Sequence, residues 1–352
     1  MDFIKLIEVR SELGAGTRGA SMGVDALKTA CLDKGSDFFI RFDSAEVETE
    51  NDALFESTPY THAKHVDSVY KVERRTCEAV RDAIEDGYFP LILAGDHSTA
   101  AGSIAGIKLA YPNKRLGVVW IDAHADFHSP YTTPSGNIHG MPLAIATGED
   151  NKESRRNEPH ADTVKWWNKL KNIGGNGQNV IPKDIIFVSV RDVEEEEEFL
   201  INKYGIRNFP TSEVNNKGVE TIAKEVLELL EHCDLIYISF DVDSLDPKIS
   251  EGTGTPVENG LTVEQAKQLN AILIGNDKVC AWEMVEVNPT LDWENAMAEE
   301  AFDILEYVTD TLSESRESST RKKLDSQHPR NPSELEGYFR TIAEEITEEE
   351  EE

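Results

Sequence analysis

Short apolar runs recur along the chain, and segments with helical periodicity separate them. The clearest run, Leu116 to Ile121, predicts a strand buried on both faces of a sheet. Further strands are predicted at Phe3–Val9, Asp37–Phe42, Leu91–Leu93, Ile185–Val190, Ile206–Phe209, Leu235–Phe240 and Val279–Val285. Helices are predicted at Val24–Leu32, His62–Asp86, Ala100–Ala110, Thr163–Leu170, from Glu194 onward, and at Val219–Glu231, Leu261–Ile274, Trp293–Leu312 and Pro332–Ile346. Strands that alternate with helices predict an α/β fold with a largely parallel sheet and helices on both faces.

Polar side chains follow four of these strands where each strand ends. Asp122, His124 and Asp126 come directly after the central strand, and alternate residues of an extended chain share one face. The other strand ends carry His97, the pair Asp241 and Asp243, and Glu286. Because the carboxyl ends of parallel strands meet at one edge of a sheet, we expect these groups to lie together.

Any one of these groups is common in proteins without a metal, since DxD occurs in many surface loops and a histidine in a turn is often structural. Four converging aspartates are different, because without cations they would repel by roughly 4 kcal/mol per pair at contact range. Two divalent cations would neutralise them. A set of carboxylates and imidazoles without thiolate suits manganese, with iron, cobalt or nickel as substitutes. Such a pair of ions can hold hydroxide at neutral pH.

The charge of the chain excludes some partners. Its 352 residues carry a formal charge of -32, which argues against nucleic acid and an anionic membrane surface as partners. The four cysteines lie far apart without a CxxC pair, and no apolar run is long enough to span a bilayer. We therefore expect a cytoplasmic protein with reduced cysteines.

Composition suggests two regions. Residues 1–312 are predicted to form one catalytic domain with a polar insertion at about 148–183, which carries Trp166 and Trp167. This insertion is a surface excursion, an oligomer contact or a lid. Residues 313–352 are predicted to be an acidic C-terminal extension, partly helical or disordered.

Six motifs in order then carry a family resemblance. They are GDHS at 95–98, DAHAD at 122–126, SGNIHG at 135–140, SFDVDSLDP at 239–247, GTGTP at 252–256 and EVNP at 286–289. Together they resemble the ureohydrolases, and most closely the arginases. The resemblance implies a three-layer αβα fold and two Mn²⁺ ions per chain. The implied metal ligands are His97, Asp122, His124, Asp126, Asp241 and Asp243.

The same resemblance implies a reaction, in which a metal-bridging hydroxide cleaves the guanidinium group of L-arginine to give L-ornithine and urea. His139 would pass a proton to the leaving amine with help from Asp126, and Glu286 would hold the guanidinium. The implied substrate-binding residues are Ser135, Asn137, His128, Asp192, Glu194, Thr255 and Glu286. Ser135 and Asn137 resemble the pair that binds the α-carboxylate.

Three positions depart from the arginase pattern. Ala94 replaces the first glycine of a GGDHS turn. His128 stands where many arginases have asparagine, and Glu194 is one methylene longer than the usual aspartate. The last two changes concern substrate specificity rather than the metals, so hydrolysis is a safer prediction than arginine as the substrate.

Other functions stay open at this point. An agmatinase or another guanidino-acid hydrolase would keep the chemistry and change the substrate. A catalytically silent metal-binding scaffold would show no turnover when fully metallated, and a histone-deacetylase-like amidase would bind a single zinc. The resemblance also suggests a homotrimer or homohexamer. The strong negative charge of the chain opposes non-specific self-association.

Overall fold

A computed structural model describes residues 3–175 and 177–327. Its sheet has eight strands in the order β2-β1-β3-β8-β7-β4-β5-β6, and every pairing is parallel. The strands are β1 (Ile4–Val9), β2 (Asp43–Glu46), β3 (Phe89–Ala94), β4 (Leu116–Ile121), β5 (Ile185–Val188), β6 (Arg207–Phe209), β7 (Leu235–Asp241) and β8 (Val279–Val285). Eight parallel strands flanked by helices confirm the predicted αβα class.

Helices cover both faces of this sheet, as crossovers between parallel strands require. On one face α3 packs against α4 and α6, and on the other α9 packs against α8 and α10. The helices are α1 (Gly23–Asp33), α2 (Phe38–Arg41), α3 (Val66–Glu85), α4 (Ala100–Ala110), α5 (Pro142–Thr147), α6 (Ala161–Lys171), α7 (Glu195–Tyr204), α8 (Thr211–Lys217), α9 (Val219–Leu229), α10 (Val263–Ile274) and α11 (Ala296–Gln327).

The middle of the sheet is its most buried part. All six residues of β3 and all six of β4 are buried, because helices cover both of their faces. By contrast β2 is an edge strand of polar, mostly exposed residues, DSAE, which is typical of a protected sheet edge. The continuous apolar runs of the sequence thus mark the central strands.

The strand predicted at Asp37–Phe42 is wrong. Phe38 to Arg41 form a single helical turn, and the strand begins only at Asp43. Phe38 and Phe42 are both buried with their rings 5.2 Å apart, whereas Ile40 between them is 88% exposed. This spacing of four residues is helical, so packing of the aromatic rings decided the local structure.

The last described helix, α11, extends to Gln327 and does not end at Leu312 as predicted. Residue contacts divide the chain into two compact units, Met1–Val308 and Thr309–Glu352. All eight strands described above belong to the first unit. The helix predicted at Pro332–Ile346 lies outside the described residues.

Candidate metal centre and pocket

The strand order brings the polar strand ends together. β3, β8, β7 and β4 are consecutive neighbours in the middle of the sheet, and the parallel direction puts all their carboxyl ends at one edge. Each of the four strand-end clusters predicted from the sequence follows one of these strands. They therefore lie within reach of each other despite their separation along the chain.

His97 lies among three carboxylates. Its Nδ1 is 3.0 Å from Asp122 Oδ2, 3.0 Å from Asp126 Oδ2 and 3.1 Å from Asp241 Oδ2. Within the described part of the chain, this buried nitrogen has no hydrogen-bond partner, since none of the three contacts has hydrogen-bond geometry. On the other side of the ring, Nε2 lies 2.8 Å from Ser239 Oγ. A proton on Nε2 would leave the Nδ1 lone pair for a cation.

The aspartates are oriented by the backbone. Asp122 Oδ1 accepts from the N–H of His124 at 2.7 Å, and Asp241 Oδ1 accepts from the N–H of Asp243 at 2.7 Å. Asp243 Oδ1 accepts from the N–H of Ala123 at 3.0 Å. One oxygen of each carboxylate is thus fixed, and the other oxygen, Oδ2, contacts a histidine of the centre.

Two overlapping groups of side chains could each hold an ion. His97, Asp122 and Asp126 form one group, and Asp122, His124 and Asp243 form the other, with the ligand atoms of each group within 4.8 Å of one another. His124 Nδ1 lies 2.9 Å from Asp243 Oδ2. Asp122 belongs to both groups, so its carboxylate is placed to serve two neighbouring cations.

The electrostatics of the centre fit this interpretation. Burial and the neighbouring Asp122 raise the pKa of Asp126 to about 7. Burial alone would lower the pKa of His97, but the carboxylates of Asp122, Asp126 and Asp241 raise it well above its ordinary value. Without cations, the centre would therefore hold protons that the binding of metal releases.

Two residues of this region have a backbone conformation that is rare for residues other than glycine. Asp126 has φ 47° and Glu286 has φ 67°, both in the left-handed region. Such conformations cost about 1–3 kcal/mol each and persist where the surroundings fix them, often in functional sites. Both residues were predicted to be catalytic.

Glu286 and His139 form a pair next to the centre. Glu286 Oε1 accepts from the N–H of His97 at 3.0 Å and lies 3.1 Å from His139 Nδ1. Burial alone would lower the pKa of His139, but the carboxylate of Glu286 raises it to about 9. The imidazole is therefore positively charged at neutral pH.

Six of the seven predicted substrate residues line one pocket together with four of the predicted metal ligands, and Glu286 is not among its lining residues. Thr255 Oγ1 donates to Asp243 Oδ2 at 3.2 Å, and His128 Nε2 lies 3.7 Å from Glu194 Oε2. Asp192 is more peripheral, with a side chain 65% exposed and 3.9 Å from His124. The pocket is lined by His124, Asp126, His128, Ser135, Asn137, His139, Asp192, Glu194, Glu197, Asp241, Asp243 and Thr255, among others.

Sequence reasoning missed three residues of this region. Glu197 lines the pocket, and burial raises its pKa to about 7. Lys64 Nζ donates to Asn137 Oδ1 at 3.0 Å, and Ser239 contacts His97. Ser239 begins the SFDVDSLDP motif, two residues before Asp241. Because alternate residues of a strand point to the same side of the sheet, its position on the side of Asp241 could have been inferred. Lys64 belongs to a distant segment and gives no such signal.

A parallel αβα sheet whose central strand ends collect carboxylates and imidazoles defines a metal-dependent hydrolase. Residues 4–309 match the model of the arginase family. The chain is 33% identical to an arginase of Brevibacillus brevis over 318 residues, which cover 87% of this chain and 97% of the relative. The chain belongs to the arginase family, whose members are hydrolases acting on the guanidino group.

Solved structures agree with this assignment. The fold superimposes on the arginase of Bacillus caldovelox with a TM-score of 0.74 at 31% identity, covering 88% of this chain and 98% of that one. An Entamoeba histolytica arginase solved in complex with L-ornithine gives a TM-score of 0.74 at 26% identity, with 88% and 99% covered. Among the residues that our structure describes, no helix is long and apolar enough to cross a bilayer.

Proposed function

We propose that the protein is a binuclear manganese arginase that converts L-arginine and water to L-ornithine and urea. The observation that carries the proposal is the pair of overlapping ligand groups beside the Glu286–His139 pair. The two ligand groups suit two divalent cations. In the neighbouring pair, Glu286 suits a guanidinium and His139 can donate a proton. Family membership makes arginine the expected substrate.

The donor set fits manganese. His97, Asp122, Asp126 and Asp241 would hold one ion or bridge the pair, and His124 and Asp243 would complete it. Oxygen donors outnumber nitrogen donors, and no thiolate takes part, which favours manganese over structural zinc. When bound, the pair of ions would supply hydroxide at neutral pH and polarise the substrate.

Glu286 is placed to bind the guanidinium of the substrate. Its Oε1 is fixed by the N–H of His97 and by His139, so the whole carboxylate has one orientation. A planar fork of N–H donors pairs best with such a fixed carboxylate. Glu286 would therefore direct the guanidinium carbon of the substrate toward the metal ligands.

His139 would deliver the proton that the leaving group needs. Cleavage of the C–N bond leaves electrons on the side-chain nitrogen of the substrate, and this nitrogen must be protonated to leave as an amine. With a pKa near 9, the imidazole of His139 carries that proton at neutral pH. Asp126 would assist the transfer.

The outer pocket offers groups for both ends of an α-amino acid. Ser135 and Asn137 would donate to the α-carboxylate, and the buried Nε2 of His128 has no hydrogen-bond partner among the described residues. Glu194 and Asp192 would receive the α-ammonium. The Entamoeba arginase bound to L-ornithine supports a ligand with both groups.

Urea release from manganese-loaded protein tests the proposal. We expect L-arginine to be turned over with a kcat/KM well above those of agmatine, which lacks the carboxylate, and of 4-guanidinobutyrate, which lacks the amine. Preference for agmatine or 4-guanidinobutyrate would assign the protein to another guanidino hydrolase. This outcome stays open because His128 and Glu194 depart from the arginase pattern at positions that concern substrate specificity. No urea from any of them would favour a silent metal-binding scaffold. The cytoplasmic location and the homotrimer or homohexamer stay predictions.

Lys64 provides a second test of how the carboxylate is recognised. Its ammonium fixes the amide oxygen of Asn137, so that the amide N–H groups are left for a substrate carboxylate. We expect Lys64→Met to raise KM for L-arginine and 4-guanidinobutyrate by about five- to ten-fold, with little change for agmatine. Steady-state kinetics on the three substrates measure this pattern.

The matched control is Lys71→Met. Lys71 lies on α3 close to Lys64 in sequence, but it pairs with Glu50 at 2.9 Å on the surface. Its replacement should leave KM for each of the three compounds unchanged. An equal rise of KM for agmatine in Lys64→Met would contradict the role of Lys64 at the carboxylate.

A further inference from the structure

We propose that residues 149–157 of the polar insertion support the walls of the substrate pocket from behind, and that Arg156 is a positioning residue for Glu194. Through Glu194, Arg156 would determine how tightly the α-ammonium of the substrate is bound. This inference rests on the proposed function, because it assumes a substrate with an amine at the mouth of the pocket. It assigns the insertion a role in specificity.

The insertion is attached to the loop that carries the carboxylate-binding residues. The N–H groups of Arg156 and Asn157 both donate to the carbonyl of Tyr131 at 2.9 Å. The side chain of Asn157 donates to the carbonyl of Thr133 at 2.6 Å. Tyr131 and Thr133 are buried, so these bonds join the insertion to the body of that loop, just before Ser135.

The same segment is attached to the helix on the other side of the pocket. The side chain of Asn151 donates to the carbonyl of Glu196 at 2.7 Å, and Asn151 is only 1% exposed. Glu149 accepts a hydrogen bond from Tyr204 at the end of α7. Residues 149–157 therefore connect the two walls that would hold the carboxylate and the amine of a substrate.

Arg156 joins the insertion to two glutamates of the α7 side, and one of them lines the pocket. Its Nη1 lies 3.3 Å from Glu194 Oε2, and its Nε lies 3.0 Å from Glu196 Oε1. Glu194 is the N-cap residue of α7 and lines the pocket. Among the described residues that line this pocket there is no lysine or arginine, so the guanidinium of Arg156 supplies a positive charge from behind the wall.

The length of Glu194 explains why it needs this partner. A glutamate has one more rotatable bond than the aspartate of most arginases, and a free side chain loses that freedom when it binds a ligand. The side chain of Glu194 is 44% exposed, so packing alone does not fix it. Arg156 holds one carboxylate oxygen before the substrate arrives, which lowers the entropy cost of binding an ammonium.

The test compares Arg156→Gln with Arg155→Gln in the full-length, manganese-loaded protein. Arg155 is the matched control, because it is equally exposed but pairs with Glu158 at 3.1 Å, away from Glu194. We expect Arg156→Gln to raise KM for L-arginine and agmatine about three- to five-fold, in line with an exposed ion pair, with kcat unchanged. For 4-guanidinobutyrate, which has no amine, KM or the inhibition constant should stay the same.

A double-mutant cycle identifies the residue through which Arg156 acts. In a Glu194→Gln background, Arg156→Gln should have no further effect on KM for arginine. Arg156→Lys keeps the charge without the planar fork and should give an intermediate KM. It also serves as the second variant if Arg156→Gln does not fold.

Three results would overturn the inference. KM values equal to those of Arg155→Gln would show that Arg156 does not act on the site. A uniform change across arginine, agmatine and 4-guanidinobutyrate would show a general loosening of the wall. A lower KM for arginine would show that Arg156 competes with the ammonium for Glu194. Failure of the proposed function is distinct, since the unmodified protein would then not hydrolyse arginine.

Discussion

Replacement of Asp126 by asparagine is expected to lower kcat for urea release by about 10³-fold or more, because a metal-activated nucleophile is lost with its ligand. Asp126 Oδ2 lies 3.0 Å from Nδ1 of His97, a predicted ligand, and an amide keeps the shape of the side chain without its charge. The metal content of the purified protein should fall from the proposed two ions per chain toward one. Elemental analysis and steady-state kinetics measure these two effects.

Asp192→Asn is the matched control for this prediction. Asp192 is also an aspartate of the pocket, but its side chain is 65% exposed and 3.9 Å from the nearest predicted ligand, His124. This variant should keep two ions per chain, whatever its effect on substrate binding. If Asp126→Asn also kept both ions and lost less than about ten-fold in kcat, Asp126 would be neither a ligand nor essential.

Replacement of His139 by asparagine is expected to lower kcat by about 10²- to 10⁴-fold, the usual contribution of a general acid. The carboxylate of Glu286 raises the pKa of His139 to about 9, so the proton donor is present below that pH. In the unmodified protein, kcat should therefore fall as the pH rises through about 9. This alkaline decrease should be absent from the pH profile of His139→Asn.

His65→Asn is a suitable control for the histidine substitution. His65 has φ 54°, a conformation that asparagine tolerates well, and it is absent from the residues that line the pocket. The pH profile of His65→Asn should match that of the unmodified protein. An alkaline decrease that persists in His139→Asn would assign that ionisation to a different group.

The fold class and the convergence of the candidate metal ligands could be predicted because they follow from local spacing. The run from Leu116 to Ile121 marked a central strand, and the alternation of Asp122, His124 and Asp126 placed their side chains at its end. The EVNP motif likewise marked Glu286. Asp37–Phe42 was mistaken for a strand because its rings pack at helical spacing, a tertiary effect that an apolar run does not reveal.

The rest of the site depends on contacts between distant segments. Lys64 reaches Asn137 from the loop just before α3, and Arg156 reaches Glu194 from the insertion. Neither pair has a characteristic spacing, so only the path of the chain in three dimensions brings them together. For the same reason, the insertion was predicted as a surface excursion, an oligomer contact or a lid, whereas its residues 149–157 are attached to both sides of the pocket.

The position of β8 has a consequence for biosynthesis. This strand, the last of the eight to be synthesised, lies between β3 and β7 and pairs Leu91 and Ile238 with the same residue, Trp282. A nascent chain that ends before Val279 already contains all six predicted ligands, yet β3 and β7 each lack a neighbour. His97 follows β3 and Asp241 ends β7, and these two strands are held next to each other only through β8. The two side chains can therefore reach their final positions only after β8 has left the ribosome and paired with both strands. Acquisition of metal would consequently be a late event in the synthesis of the chain.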